Sequence, residues 1–184
     1  MRILTIGNIY GYFDQFTTLL KEAKYNPCKD KLFILGELID FGPKSIEVVE
    51  ECIKLQQQGA VILRGKREQL YIDAILKKHH LSEEELCHTK NNILFWYDDH
   101  PLVKMRHLEF FKNLKLYAKY KNFFFSHAEI DKKEVESGNI LIFGDNPFFK
   151  NISENKIGIN FGGEEKQALG LLDISNKKYW TICC

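Results

Sequence analysis

The chain has 184 residues, 45% of them apolar and 28% charged, with 26 basic side chains against 25 acidic ones. That length suits one domain with a substantial core, and the composition excludes disorder, collagen and coiled coil as the main architecture. A net charge of +1 offers no global attraction to nucleic acid, and no apolar run approaches the ~18 residues of a membrane span.

The opening run Arg2-Ile3-Leu4-Thr5-Ile6 is broken by Gly7 and Asn8, too early for a secretory leader. Cysteines stand at 28, 52, 87, 183 and 184, with no Cys-x-x-Cys pair. This pattern points to a reducing cytoplasm, without a disulfide framework or a zinc knuckle. The abundance of Lys, Asn and Ile suits an AT-rich microbial genome.

Arg2 to Ile6 reads as a buried strand closed by Gly7. Phe13, Phe16, Leu19, Leu20 and Ala23 follow helical spacing. Lys31 to Leu35 is a second strand, closed by Gly36. Ser45 is placed to cap a helix with Ile46, Val49, Cys52 and Ile53 on its apolar face. Ala60 to Leu63 is a third strand, closed by Arg64-Gly65. This alternation predicts an α/β sheet with parallel strands, whose ligands bind at the strands' carboxyl ends.

From Glu68 to about Lys112 the pattern is mainly helical, with Ser82 and Glu85 as a capping box. Asn122 to Phe125 is an aromatic strand ending at Ser126-His127, and Asn139 to Phe143 one ending at Gly144-Asp145. Three alternating tail segments, from Lys156, Ala168 and Tyr179, predict a closing antiparallel meander with turns at Gly162-Gly163 and Ser175-Asn176.

Five strand-end loops therefore line up in order. They are Gly7-Asn8-Ile9-Tyr10-Gly11, then Gly36 to Gly42, Arg64-Gly65-Lys66-Arg67-Glu68, Ser126-His127-Ala128, and Gly144-Asp145-Asn146-Pro147. The series resembles the calcineurin-like metallophosphoesterases, in the branch of protein Ser/Thr phosphatases and bacterial diadenosine-tetraphosphate hydrolases. That family reads G-D-x-H-G, G-D-x-x-D-R-G, G-N-H-E, H-A-G and G-H-T in the same order. The resemblance covers essentially the whole chain. It implies a single domain over residues 1–184, an α/β sandwich of mixed sheets flanked by helices, with a helical insert at about 68–112.

The family's chemistry uses two metal ions about 3.5–4 Å apart and a metal-activated water. Against its motifs, Asn8 stands for the first-loop aspartate and Tyr10 for its histidine. Glu37 stands for the bridging aspartate and Phe41 for the phosphate-binding arginine. Lys66, which cannot ligate while protonated, replaces the amide ligand. Arg67, which does not give up its proton near neutrality, replaces the acid histidine. Asp145 replaces the last histidine. Asp40, Arg64, Glu68 and His127 match. The interval from His127 to Asp145 is short and holds no arginine, so a substrate-gripping element of the family is missing.

The resemblance with these departures implies a pseudophosphatase that binds a protein or a phosphorylated ligand, with no catalytic residue and no metal cofactor expected. One alternative is a weak phosphoesterase holding Mn²⁺ or Zn²⁺ on Glu37, His127 and Asp145 with Asn8. Another is a metal-free phosphate or nucleotide sensor using Arg64, Lys66 and Arg67. Charge reversal at the third loop predicts an internal salt-bridge cluster, with Lys66 near the second metal position. No membrane partner is expected, and nucleic acid is not indicated.

Structural roles compete at each position. His127 suits a hydrogen-bonded core histidine, Asp40 a turn cap, Glu68 a partner of a cation or of loop backbone, and Arg64 a loop brace. Lys77-Lys78-His79-His80 reads as a solvated helix end and Phe95-Trp96-Tyr97 as core, while Phe148-Phe149 is a candidate contact patch. Lys112, Lys115, Lys119 and Lys121, interleaved with Tyr117 and Tyr120, form either a solvated face or a contact for an acidic partner or RNA.

Overall fold

The structure is a computed structural model that describes residues 1–76, 97, 100–130, 135, 138–144, 155–160 and 168–184. Two sheets face each other, and helices cover the far side of the first. The first sheet has the order β3-β2-β1-β8-β9 and the second β4-β5-β6-β7.

β1 (Arg2–Ile6), β2 (Asp30–Ile34) and β3 (Val61–Ile62) run parallel, joined by α1 (Phe13–Glu22) and α2 (Ser45–Gln57). Alternation along β1 and β2 divides their side chains between two layers. Leu4, Ile6, Leu32 and Ile34 meet the helices, packing with Phe16, Leu19, Val48, Val49 and Cys52. Ile3 and Phe33 face the second sheet and pack with Phe125, Ile142 and Ile159. Phe33 stacks on Phe125 with centroids 3.7 Å apart and planes 3° from parallel.

α3 (Lys66–Leu76) and α4 (Pro101–Asn113) contribute Tyr71, Leu108 and Phe111 to the helix-side core. Tyr97 belongs to the same core, as its aromatic run predicts. The second sheet holds β4 (Tyr117–Tyr120), β5 (Phe123–Ser126), β6 (Ile140–Phe143) and β7 (Lys156–Gly158). β4 is antiparallel to β5, and β5, β6 and β7 are parallel. The chain closes with the hairpin β8 (Ala168–Asp173) and β9 (Lys178–Cys183), β8 lying antiparallel to β1.

Three expectations change. The tail is no three-stranded meander: β7 pairs in parallel with β6 in the second sheet, and only β8 and β9 form the hairpin. Ser45 does not cap α2. Lys44 is the cap residue, and the Ser45 hydroxyl accepts the Asp40 N–H at 3.0 Å instead. β4 lies where only a lysine series was noticed. Ser82, Glu85, the run 77–80, Phe95, Trp96, Gly162, Gly163 and Phe148-Phe149 lie outside the described residues. No described helix is long and apolar enough to cross a membrane.

Candidate functional site at the strand ends

The carboxyl ends of β1, β2, β3 and β5 bring four of the predicted loops together; of the fifth, Gly144 is the described residue at the end of β6, and its N–H donates to the His127 carbonyl at 2.9 Å. Backbone bonds stitch the first loop to the second: Ile9 and Tyr10 N–H groups donate to the Glu37 carbonyl at 2.9 and 2.7 Å, and Gly11 N–H to the Leu38 carbonyl at 2.8 Å. The second and third loops touch backbone to backbone. A Cβ on Gly36 would lie 2.5 Å from Gly65 N, and one on Gly65 would lie 2.4 Å from Glu37 N. Only glycine allows this approach. Tyr10, Glu37 and Asp40 all adopt positive φ (51°, 52° and 99°). Three non-glycine residues in that region within two loops mark a backbone held by its surroundings against its own preference.

Glu68, fully buried on the first turn of α3, clamps the loops. Its Oε2 accepts the N–H groups of Gly65 (2.8 Å) and Glu37 (3.0 Å), and its Oε1 that of Leu38 (2.8 Å). Burial, then the neighbouring charge of Glu37, pushes its carboxyl up to about 7 against the pull of those three donors. Of its two predicted roles, Glu68 fills the one that binds loop backbone.

Glu37 is 3% exposed. Burial raises its carboxyl above the usual range, opposed by His127 and Arg67. Its Oε1 accepts the Arg67 backbone N–H at 2.9 Å and faces His127 Nε2 at 3.3 Å. His127 Nδ1 lies 3.0 Å from the Leu35 carbonyl, which can only accept, so Nδ1 carries the hydrogen and Nε2 is the atom turned to the site.

Arg67 ties the site together. Its Nη1 donates to Asp40 Oδ2 at 2.5 Å, and its Nε stands 3.5 Å from Glu37 Oε2. The guanidinium lies 4.7 Å from the Phe41 ring centroid, a cation–π contact. The Phe41 ring meets Tyr10 edge-on at 5.0 Å. Asn8 is buried and donates its Nδ2–H to the Tyr10 hydroxyl at 3.0 Å. Asn8 Oδ1 is buried with no hydrogen-bond partner among the described residues.

Lys66 does not join this cluster. Its side chain is exposed, and Arg67 supplies the cation between the carboxylates. The reason is helical geometry: Lys66 and Arg67 open α3, and consecutive helical residues point about 100° apart, so one turns inward and the other outward. Arg64 is half-buried at the end of β3. Its N–H donates to the Lys115 carbonyl at 2.8 Å, and its buried Nε has no hydrogen-bond partner among the described residues. Arg67 is engaged by two carboxylates, whereas no ion pair is seen for Arg64 or Lys66 among the described residues. Asp145 lies outside the described residues. Sequence reasoning gave Ser45 a helix-capping role and missed its part in the site, where its hydroxyl holds Asp40 N–H. An Asp followed five residues later by Ser at a helix start was the available signal.

No protein-family model matches the chain. A symmetrical bis(5'-nucleosyl)-tetraphosphatase of Vibrio cholerae is 30% identical over 125 residues, 68% of this chain and 43% of that protein. One of Chromobacterium violaceum is 40% identical over 63 residues, 34% of this chain and 23% of the relative. The matches thus span less than half the length of these relatives. Among solved structures, a putative diadenosine tetraphosphatase superposes with a TM-score of 0.71 at 15% identity, covering 98% of this chain and 92% of the other. A metallophosphoesterase from Sphaerobacter thermophilus gives 0.61 at 16% identity, with 100% and 87% covered. The strand-end loops, the two-sheet sandwich and these relatives agree: the chain has the fold of the metallophosphoesterases and is related in sequence to symmetrical bis(5'-nucleosyl)-tetraphosphatases.

Proposed function

We propose that this chain is a pseudophosphatase, a protein of metallophosphoesterase fold that binds a protein or a phosphorylated ligand and does not hydrolyse it. One observation carries the proposal: the Arg67 guanidinium sits between Glu37 and Asp40, the two described carboxylates that would attract a divalent ion. Arginine stays charged at any physiological pH. A metal beside it would face a fixed positive charge and two carboxylates already compensated. The described residues therefore do not fit a dinuclear centre.

The chemistry of the remaining side chains points the same way. Arg67 does not serve as a general acid, and the loss of that role alone typically costs ~10²–10⁴ in rate. Phe41 offers an aromatic face where the resembling family has a phosphate-binding arginine. Hydrolysis of diadenosine tetraphosphate and of p-nitrophenyl phosphate with Mn²⁺ tests this directly. The expected result is no metal-dependent turnover above a Glu37→Ala control. Turnover that the control lacks would overturn it.

A mononuclear hydrolase has one observation in its favour. Asn8 Oδ1 is a buried oxygen without a donor among the described residues, and buried polar atoms are rarely left so. With Glu37 and His127 Nε2 it would be a third ligand atom. Saturable Mn²⁺ binding by the native chain, lost in Asn8→Leu, would support that alternative.

A further inference from the structure

A groove of about 740 Å³ opens at the far edge of the sandwich from the β9 side, lined by β2, β3 and residues 115–120. Its floor is the layer between the sheets, exposed at its margin: Phe33 and Val61 from the first sheet, Ala118 and Tyr120 from the second. Tyr120 tilts against Phe33 with centroids 5.8 Å apart. Leu63 and Lys115 form a parallel bridge where the two sheets meet, and beyond that point β4 diverges from β3 as the edge strand of its own sheet.

Charge is segregated at this place. Lys31, Lys115 and Lys119 line the groove, and among the described residues no carboxylate does, although acidic and basic residues are almost equal in number over the chain. Leu116 and Tyr117 are each 58% exposed. An edge strand presents backbone N–H and C=O groups to any extended chain laid beside it. On β4, Ala118 and Tyr120 pack toward the inter-sheet layer, whereas Tyr117 stacks on Phe124 and Lys119 approaches the same ring on the outer face.

We propose that this groove is a docking site for an extended acidic peptide that adds as a strand beside β4. Alternation fixes the pattern the site prefers. One set of side chains is apolar and enters the groove over Phe33, Val61 and Tyr120. The intervening set is acidic and meets Lys119 and its neighbours. Backbone pairing favours a polypeptide over single-stranded RNA, whose sugar–phosphate chain cannot match a row of amides and carbonyls. The groove adjoins the third strand-end loop only through the backbone of Lys115, whose carbonyl accepts the Arg64 N–H, and docking there is independent of whether the loops hydrolyse anything.

The test uses the full chain and a fluorescent peptide of about eight residues that alternates glutamate with valine or phenylalanine. A Kd in the micromolar range is expected, weakening as salt rises. The double charge reversal Lys115→Glu/Lys119→Glu should weaken it by roughly tenfold or more, while Lys54→Glu on α2 leaves it unchanged. Both lysines are exposed, so the variant should keep the native melting temperature. N-methylation of alternate peptide amides should abolish binding in one register, which separates strand addition from simple charge attraction. Equal binding of a Lys/Val peptide would overturn the proposal. So would insensitivity to N-methylation in both registers, or binding of a uridine oligonucleotide with no binding of the peptide. Failure of the acidic peptide to bind at millimolar concentration would also overturn it, leaving the lysines as guards against edge pairing between copies.

Discussion

Arg67→Ala would take from two buried carboxylates, Glu37 and Asp40, the cation they share. The Glu37 and Asp40 side chains are 4% and 2% exposed, and Arg67 is itself only 11% exposed. Removing one partner of such a pair costs about 3–5 kcal/mol, because the remaining charge stays out of water uncompensated. For a domain of this size each kcal/mol moves Tm by about 2–4 °C, so the expected drop is roughly 6–20 °C. The loss is expected at neutral pH and should shrink in acid, where Glu37 and Asp40 take up protons and no longer need the cation. Two further results follow from charge compensation rather than lost packing. Arg67→Ala combined with Asp40→Asn should recover part of the stability. Mn²⁺ should stabilise Arg67→Ala by about 2.7 kcal/mol at a hundred times its Kd, with no such effect on the native chain. Differential scanning fluorimetry and urea unfolding read all three. A loss below about 1 kcal/mol, the range of exposed pairs, would refute the reasoning.

Other expectations concern pH and packing. The Glu68 carboxyl is raised by folding, from 4.5 up to about 7, so the native state holds its proton better than the unfolded chain. Its contribution is complete below pH 4.5 and falls as pH rises to about 7, by on the order of 3 kcal/mol. Urea unfolding from pH 4 to 8 should show this slope in the native chain and not in Glu68→Gln. His107 is fully buried, with its Nδ1 2.7 Å from the Tyr97 hydroxyl and its Nε2 2.6 Å from Glu50 Oε1. Burial lowers its basicity against the opposing pull of Glu50. Below pH 6.5 the unfolded chain therefore binds the proton more readily, and stability should fall with pH there. His107→Gln should lose that part of the slope. Gly65→Ala places a Cβ 2.4 Å from Glu37 N and 2.8 Å from Glu37 Oε1. It should cost about 1–3 kcal/mol or more, whereas Gly59→Ala, with nothing within 4 Å but φ +98°, should suffer from backbone strain alone.

Most of the fold was legible because period and punctuation agree. β1 and β2 are short apolar runs closed by glycine, and α1 repeats its apolar side chains at helical spacing, so each local signal matches its final environment. β4 was not legible: Tyr117-Ala118-Lys119-Tyr120 sits at a sheet edge, half in solvent, where sequence alternation is weak and lysine is tolerated. The sheet assignment of β7 was lost for another reason, since a strand pattern does not say which neighbour it will pair with. At the site, motif order located the loops and the residues that converge there, Glu37, Asp40, Arg67 and His127. It did not tell which of the adjacent cations Lys66 and Arg67 turns inward. That choice depends on where α3 begins, and boundaries are set by the tertiary clamp of Glu68 on three loop amides rather than by local propensity.

The most direct measurement is metal content per chain, by elemental analysis of protein purified without chelator, then soaked in Mn²⁺ or Zn²⁺ and desalted. With Arg67 held by Glu37 and Asp40, the prediction is no stoichiometric metal in either sample, and stoichiometric uptake by Arg67→Ala. About one or two tightly held ions on the native chain, lost on Glu37→Ala or His127→Ala, would contradict it.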